Sequence, residues 1–448
     1  MKLILILAIL ASTSAYSANG VKAYFNHNQK SQYTEPYRGI TRQGDNLEAV
    51  ILAEILAAKK SVYMAVQELR LPLIAQALIL KKNMGVDVRV ILEHDYNFNV
   101  TVQRDTQDTN EHDASKLSEL YAFVDADRNN RISQQELLAR DAIYMLQTAQ
   151  IPLIDDTFDA SKGSGLMHHK FVIVDGKSTL ISSANFTMSC VHGDTLNPRS
   201  RGNPNSLVVV QSANVAKLFT EEFAQMWGNG RRGNFGQNKT YRAAQTISVG
   251  GVNLSIQFSP TTQRITYEES VNGLIAKNLN KATRSIKAAL FVFSDQNLGN
   301  VMEARHAAGA DVGAVVEPKF AYREYSEVLD MLGIRMLGNT CKFEADNRPW
   351  AKPVREAGMG RLASGDVLHH KFAVVDNRIT IMGSQNWSAA ANYINDETMV
   401  VIEDAGISEL YGQEYARLKK DAFLGVSGPL MTEVNRREQE CANLGFHY

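Results

Sequence analysis

Apolar positions along the chain fall into one alternation that is written twice. Leu47 to Ala58 carries apolar residues at helical spacing, Ser61 to Val66 is a β-rich run, Ile74 to Met84 is helical again, and Val88 to Leu92 is a second strand. Val271 to Ala282, Ser285 to Phe293, Leu298 to Ala308 and Val312 to Val316 repeat that order. Strands alternating with helices predict an α/β sheet covered on both faces. Phe171 to Val174 and Phe372 to Val375 are continuous apolar runs of strand length, the pattern of strands buried on both sides. A polar, Gly-rich stretch from Gly228 to Asn238 marks the expected seam, which divides the chain into halves at 18–235 and 236–448.

The first residues follow a different pattern. Lys2, the apolar run Leu3 to Leu10 and the small residues leading to Ser17 predict a secretory leader over 1–17, cut after about Ser17. The run is too short to span a bilayer, so the product is expected to be periplasmic or secreted. Loss of Lys2 with the leader takes the formal charge from −1 to −2, leaving no basic excess to advertise nucleic acid as a partner. Three cysteines, Cys190, Cys341 and Cys441, allow at most one intramolecular disulfide, and the sequence does not choose the pair.

The halves differ most between Glu93 and His168. There Asp125, Asp127, Asn129, Ser133 and Glu136 fall at positions 1, 3, 5, 9 and 12 of a calcium loop, with Arg131 at the backbone-carbonyl position 7. Asn130 stands where the sharp turn usually has glycine, and asparagine is the next best residue for a left-handed conformation. Leu117, Leu120, Tyr121 and Val124 form the stripe of an entering helix, and Leu138, Ala142 and Met145 that of an exit helix. The segment 113–146 is therefore expected to be an EF-hand-like insertion holding Ca2+.

The candidate chemistry lies in a duplication. His168, Lys170, Asp175, Ser183 and Asn185 recur as His369, Lys371, Asp376, Ser384 and Asn386, each displaced by 201 residues (369 − 168 = 201). Strand alternation puts His168 with Lys170, and His369 with Lys371, on one face, and sends His169 and His370 to the other as packing or hydrogen-bonded residues. Asp175-Gly176 and Asp376-Asn377 read as hairpin turns. With Gly176-Lys177 and Asn377-Arg378 as the two turn residues, Asn185 faces His168, Ser183 faces Lys170, Asn386 faces His369 and Ser384 faces Lys371. Each Asp lies seven residues from its His, roughly 23 Å along an extended strand, which assigns Asp175 and Asp376 to the turn or its packing rather than to proton transfer.

The pattern H-x-K-x4-D-x6-G-S-x-N, complete in the second copy and with Ser182 for glycine in the first, resembles the phospholipase D superfamily. His192-Gly193-Asp194 followed by Arg201-Gly202-Asn203-Pro204-Asn205 also resembles a segment of its secreted bacterial members. The resemblance implies two similar α/β/α sandwich domains about a pseudo-two-fold axis, and a displacement at phosphorus without a catalytic metal. One histidine forms a phosphohistidine and the other protonates the leaving alcohol, then activates water. Lys170, Lys371, Asn185 and Asn386 would hold the non-bridging oxygens, with Ser183 and Ser384 in support. By the same resemblance Glu397 matches an acidic residue that orients a histidine, Asn205 takes its place in the first half, and cross-pairing makes His168 with Glu397 the nucleophile. Pairing within each half would exchange the roles.

Three functions compete. A secreted phospholipase D hydrolysing glycerophospholipids to phosphatidic acid and a free alcohol leads, with transient membrane-surface contact and no obligate protein partner. A secreted nuclease cleaving nucleic-acid diesters is second; it calls for a basic groove that Arg231-Arg232 hardly establishes. An inactive calcium-tuned binding protein is third, opposed by the intact His, Lys and Asn sets.

Overall fold

The computed structural model describes residues 16–102, 111–159 and 165–446. The expected leader thus lies mostly outside the described residues. Tyr16–Ala18, which straddles the expected cleavage point, pairs as an edge strand with 21–23.

Two mixed sheets are built to one plan. In the first half Ser61–Val66, Asp87–Leu92 and Leu153–Asp155 run parallel; on the other side of Ser61–Val66 the sheet continues antiparallel through Lys170–Val174, Ser178–Ser182, Ser206–Gln211, Val21–Phe25 and Tyr16–Ala18. The second half repeats this with Ser285–Leu290, Asp311–Val316 and Ala357–Met359 parallel, and Lys371–Val375, Ile379–Gly383, Glu397–Glu403, Val252–Ser259 and Gln245–Val249 antiparallel beyond them. Phe423–Leu424 caps its far edge.

Side-chain alternation then assigns each strand to two cores. Val172 and Val174 face an outer core with the helices Leu47–Ala57 and Pro72–Asn83, while Phe171 and Ile173 face inward. The inward core is shared. Phe171, Phe219 and Phe223 meet Phe258, Phe372 and Tyr411 there, and the helices Ala213–Trp227 and Ala405–Lys420 fill it between the sheets. A third core lies under the helices Val271–Leu279 and Gln296–Ala307. No helix among the described residues is long and apolar enough to cross a membrane.

Two expectations are corrected. The strand expected over Ser285 to Phe293 ends at Leu290, because the Phe291 N–H turns to the His370 carbonyl and Phe293 bridges to Trp387. The hairpin register is shifted by one residue. Phe171 pairs with Ile181 and Ala373 with Ile381, because the hairpins close at Val174–Ser178 and Val375–Ile379 over three residues instead of two, with Asp175 (φ 52°) and Gly176 (φ 61°), and Asp376 and Asn377 (both φ 53°), left-handed within the loops. In this register it is Ser182, not Ser183, that stands level with Lys170.

Cys341 and Cys441 form a disulfide that ties the helix Gly428–Asn443 to the loop between Met331 and Ala357, 100 residues earlier in the chain, and Cys190 is a buried free thiol.

Candidate active site

His168 and His369 lie two residues before the equivalent strands Lys170–Val174 and Lys371–Val375, so both imidazoles arrive at the same end of their sheets. Each reaches across to the other half. His168 Nδ1 donates to Glu397 Oε2 at 2.6 Å, and His369 Nδ1 donates to Asn205 Oδ1 at 3.1 Å. The Asn205 amide is oriented by its own donations to the carbonyls of Cys190 (3.1 Å) and Asn203 (3.0 Å), which leaves its oxygen toward the ring. With Nδ1 engaged, Nε2 is the nitrogen that each ring could offer to a ligand.

The lysines lie behind them, fully buried. Lys170 Nζ donates to the His168 carbonyl at 2.7 Å and to Gln67 Oε1 at 3.3 Å; Lys371 Nζ donates to the His369 carbonyl at 2.8 Å and sits 4.9 Å over the Phe291 ring. The side-chain oxygens of Asn185 and Asn386 are buried without a partner among the described residues and call for a donor, while a phosphate oxygen would accept only from the N–H groups of the same amides. Burial lowers both histidines well below their ordinary range, and the positive charges of Lys170 and Lys371 add to this. Burial also brings each lysine down to about 7 and raises Glu397 to about 7, against the pull of the same lysines. Four groups that become cationic on protonation crowd one dry site, so an anion there stabilises all of them.

The motif serines are engaged by the protein itself. Ser183 Oγ donates to Asn205 Oδ1 at 2.8 Å and accepts the Ser206 N–H; Ser384 Oγ accepts the Thr398 N–H at 2.9 Å and stands against Glu397. Their hydroxyls are used by the strand that follows, so they steady the histidines' partners. At the preceding position Gly383 has φ 149°, and a Cβ there would meet the Thr398 carbonyl at 2.1 Å, whereas Ser182 donates to the equivalent Ser206 carbonyl at 3.1 Å.

The aspartates are where the strand-length argument puts them. Asp175 accepts the N–H groups of Lys59, Lys60 and Ser61, and Asp376 those of Thr283, Arg284 and Ser285, so each pins the start of a neighbouring strand. His169 and His370 turn to the inner face, where Nε2 meets Glu222 at 3.1 Å and Glu414 at 2.8 Å.

The insertion is a helix, loop and helix, Glu111–Val124 followed by Gln134–Arg140; the expected single exit stripe is corrected, because Asp141 caps a new helix, Ala142–Thr148, and Leu138 is left exposed while Ala142 and Met145 are buried. Carboxylate oxygens of Asp125, Asp127 and Glu136 come within 4.8 Å of one another, and Asn130 has φ 61°. Asn129 Oδ1 instead accepts the Arg131 N–H, and Ser133 forms a capping box with Glu136. The oxygen-only set and the left-handed Asn130 fit a calcium ion. Glu119 on the entering helix accepts the Leu196 N–H at 2.9 Å, which joins the insertion to the loop leading to Asn205.

Sequence reasoning missed Gln67 and Phe291, equivalent residues that follow the strands Ser61–Val66 and Ser285–Leu290 and touch the two lysines. Aligning the halves beyond their motifs exposes the pair. Glu222, Lys239 and Asp396, described below, carry no local signal.

The family model described as "Cardiolipin synthase, PLD-like domain" matches residues 51–227 and 275–419, more than half of the chain, and the chain belongs to this family of phospholipase D-like domains. Among its relatives, the mitochondrial cardiolipin hydrolase of Mus musculus is 27% identical over 154 residues, 34% of this chain and 59% of that protein. A phospholipase D of Rickettsia conorii is 22% identical over 197 residues, 42% of this chain and 88% of that protein. The match to the cardiolipin hydrolase thus spans under two thirds of its length. In fold, the chain is similar to the phosphatidylserine synthase of Haemophilus influenzae, with a TM-score of 0.55 at 13% identity over 96% of this chain and 95% of that one.

Proposed function

We propose that the chain is an exported phosphodiesterase that hydrolyses glycerophospholipids to phosphatidic acid and a free alcohol through a phosphohistidine on His168. The observation that carries this reading is the pair His168–Glu397, set beside a second histidine and two buried lysines. His168 Nε2 attacks phosphorus, and the bond to the alcohol oxygen breaks as His369, protonated once the phosphate anion is present, gives that oxygen its proton. His369 then takes a proton from water, the new P–O bond forms, the P–N bond breaks and His168 regains its lone pair. Lys170, Lys371, Asn185 and Asn386 hold the non-bridging oxygens throughout.

Lipid as substrate is supported by the names of the sequence relatives and by the near-neutral charge of the chain. Export is supported by the leader pattern and by the Cys341–Cys441 disulfide, since such bonds persist in oxidising compartments. The insertion is read as a calcium site that stabilises the rim of the cleft and takes no part in the phosphoryl step. The test is purified protein supplied side by side with mixed phospholipid vesicles and single-stranded DNA, with and without Ca2+, products being identified by mass. Phosphatidic acid is the expected product; DNA cleavage with intact lipid would replace this reading with the nuclease.

A further inference from the structure

The segment before His168 and the strand that carries Glu397 run side by side across the two halves. Met167 bridges Asp396 in parallel register, the Asp396 N–H donates to the Leu166 carbonyl at 2.8 Å, and the His168 N–H donates to the Asp396 carbonyl at 2.9 Å. The same step places His168 against Glu397 and His169 Nδ1 against Thr398 Oγ1 at 2.7 Å. Three consecutive residues of one half are thus matched to three of the other.

Both borders of this match are gripped by one side chain from the connecting segment. Lys239 Nζ makes ion pairs with Asp396 (2.6 Å) and with Glu222, and donates to the Ser259 carbonyl at 2.7 Å. Asp396 also accepts the Gly236 N–H, while Glu222 holds His169 Nε2 and pairs with Arg242. Lys239, Glu222 and Asp396 are each 5% exposed or less in their side chains, so neither carboxylate has solvent to replace a lost counter-charge.

Among the described residues no lysine plays this part behind His369, where the halves are tied by hydrogen bonds instead: the Val367 N–H donates to Asn203 Oδ1 at 2.8 Å and Asp366 accepts the Arg201 N–H at 2.9 Å. The residue that corresponds to Asp396 is Pro204, which has neither an N–H for the cross-strand bond nor a carboxylate for a lysine. His370 is held through Glu414 and Arg417 on one helix, and its Nδ1 has no partner among the described residues.

We infer that Lys239 is a positioning residue for the nucleophilic pair: by joining Asp396 to Glu222 it fixes the register that brings His168 Nδ1 onto Glu397. This rests on His168 being the nucleophile of the proposed reaction. It does not touch substrate.

The experiment compares Lys239→Met, Lys239→Arg and Arg417→Met, all checked for folding by circular dichroism, on a soluble chromogenic phosphate diester and by proton NMR of the imidazoles. Lys239→Met is expected to lower kcat about 10- to 100-fold, the usual cost of losing an outer partner of a catalytic group. KM stays within about threefold, the scale of an effect that spares ground-state binding. Lys239→Arg restores most of kcat, and Arg417→Met, which removes a half-buried ion pair from the other half, costs much less. In the NMR spectrum the downfield Nδ1–H resonance of His168 is present in the wild type and lost in Lys239→Met. Retention of that resonance in a folded Lys239→Met protein, or an equal loss of kcat in Arg417→Met, overturns the inference. Should Lys239→Met fail to fold, Asp396→Asn replaces it with the same two readouts. A wild type inactive on every diester counts against the proposed reaction alone, since the resonance still decides the role of Lys239.

Discussion

His168 and His369 occupy equivalent places, yet one imidazole meets a carboxylate and the other an amide. A carboxylate accepts the Nδ1 proton and stabilises positive charge on the ring, whereas an amide accepts it with only a dipole. The lysines repeat the inequality, Lys170 facing the Gln67 amide and Lys371 the Phe291 ring. The symmetry of the fold therefore delivers two histidines to one site, and departures from that symmetry give them unequal partners.

The largest effects come from removing a histidine. His168→Ala and His369→Ala are each expected to lower turnover by about three orders of magnitude or more, as acid-base and nucleophilic terms of this kind require. Rapid-quench labelling separates them: His168→Ala forms no phosphoenzyme, and His369→Ala accumulates one with an activated substrate. A label on His369 in the wild type would exchange the roles. Glu397→Gln is expected to lower kcat by about 10- to 100-fold, and Asn205→Gln much less. Equal losses in the two variants would dissolve the contrast between the halves.

A smaller effect follows from the charges. Each lysine of the free protein is brought down to about 7 by burial, so an anion that restores its ordinary range must be accompanied by proton uptake at pH above 7. Calorimetry of a hydrolysis-resistant phosphonate ester at pH 8, in buffers of different ionisation enthalpy, should record that uptake; a proton-neutral association would contradict the dry, crowded site. Smallest is the effect of Asp376→Asn. Losing a carboxylate that accepts three N–H groups should cost about 1–3 kcal/mol in denaturant unfolding with turnover per folded molecule retained. Those hydrogen bonds hold Asp376 down to about 2, below its ordinary value, so its contribution is present above pH 4 and fades as pH falls toward 2, and the variant should lack that acid-side loss.

Much of this was legible beforehand because it is local or repeated. The helices and strands flanking each motif follow from periodicity, and the distance of Asp175 from His168 along a strand already removed it from proton chemistry. The hairpin register was not legible, because Asp175, Gly176 and Lys177 can close as a two-residue or a three-residue loop, and only the pairing of Val174 with Ser178 decides. The serines were misplaced for the same reason. The disulfide partner of Cys341 and the grip of Lys239 on Asp396 join residues far apart in the chain, where no spacing rule reaches.

The core shared between the sheets has a consequence for how such a site changes over generations. Phe171, Phe219 and Phe223 from one half and Phe258, Phe372 and Tyr411 from the other bury one another, so neither half presents a finished surface alone. Two separate identical chains pressed together on such a core would obey strict two-fold symmetry, and a single codon would write the partner of both histidines at once. Covalent union gives positions 205 and 397 separate codons. One can be altered while the other is kept, and a division of labour that identical subunits are forbidden becomes heritable.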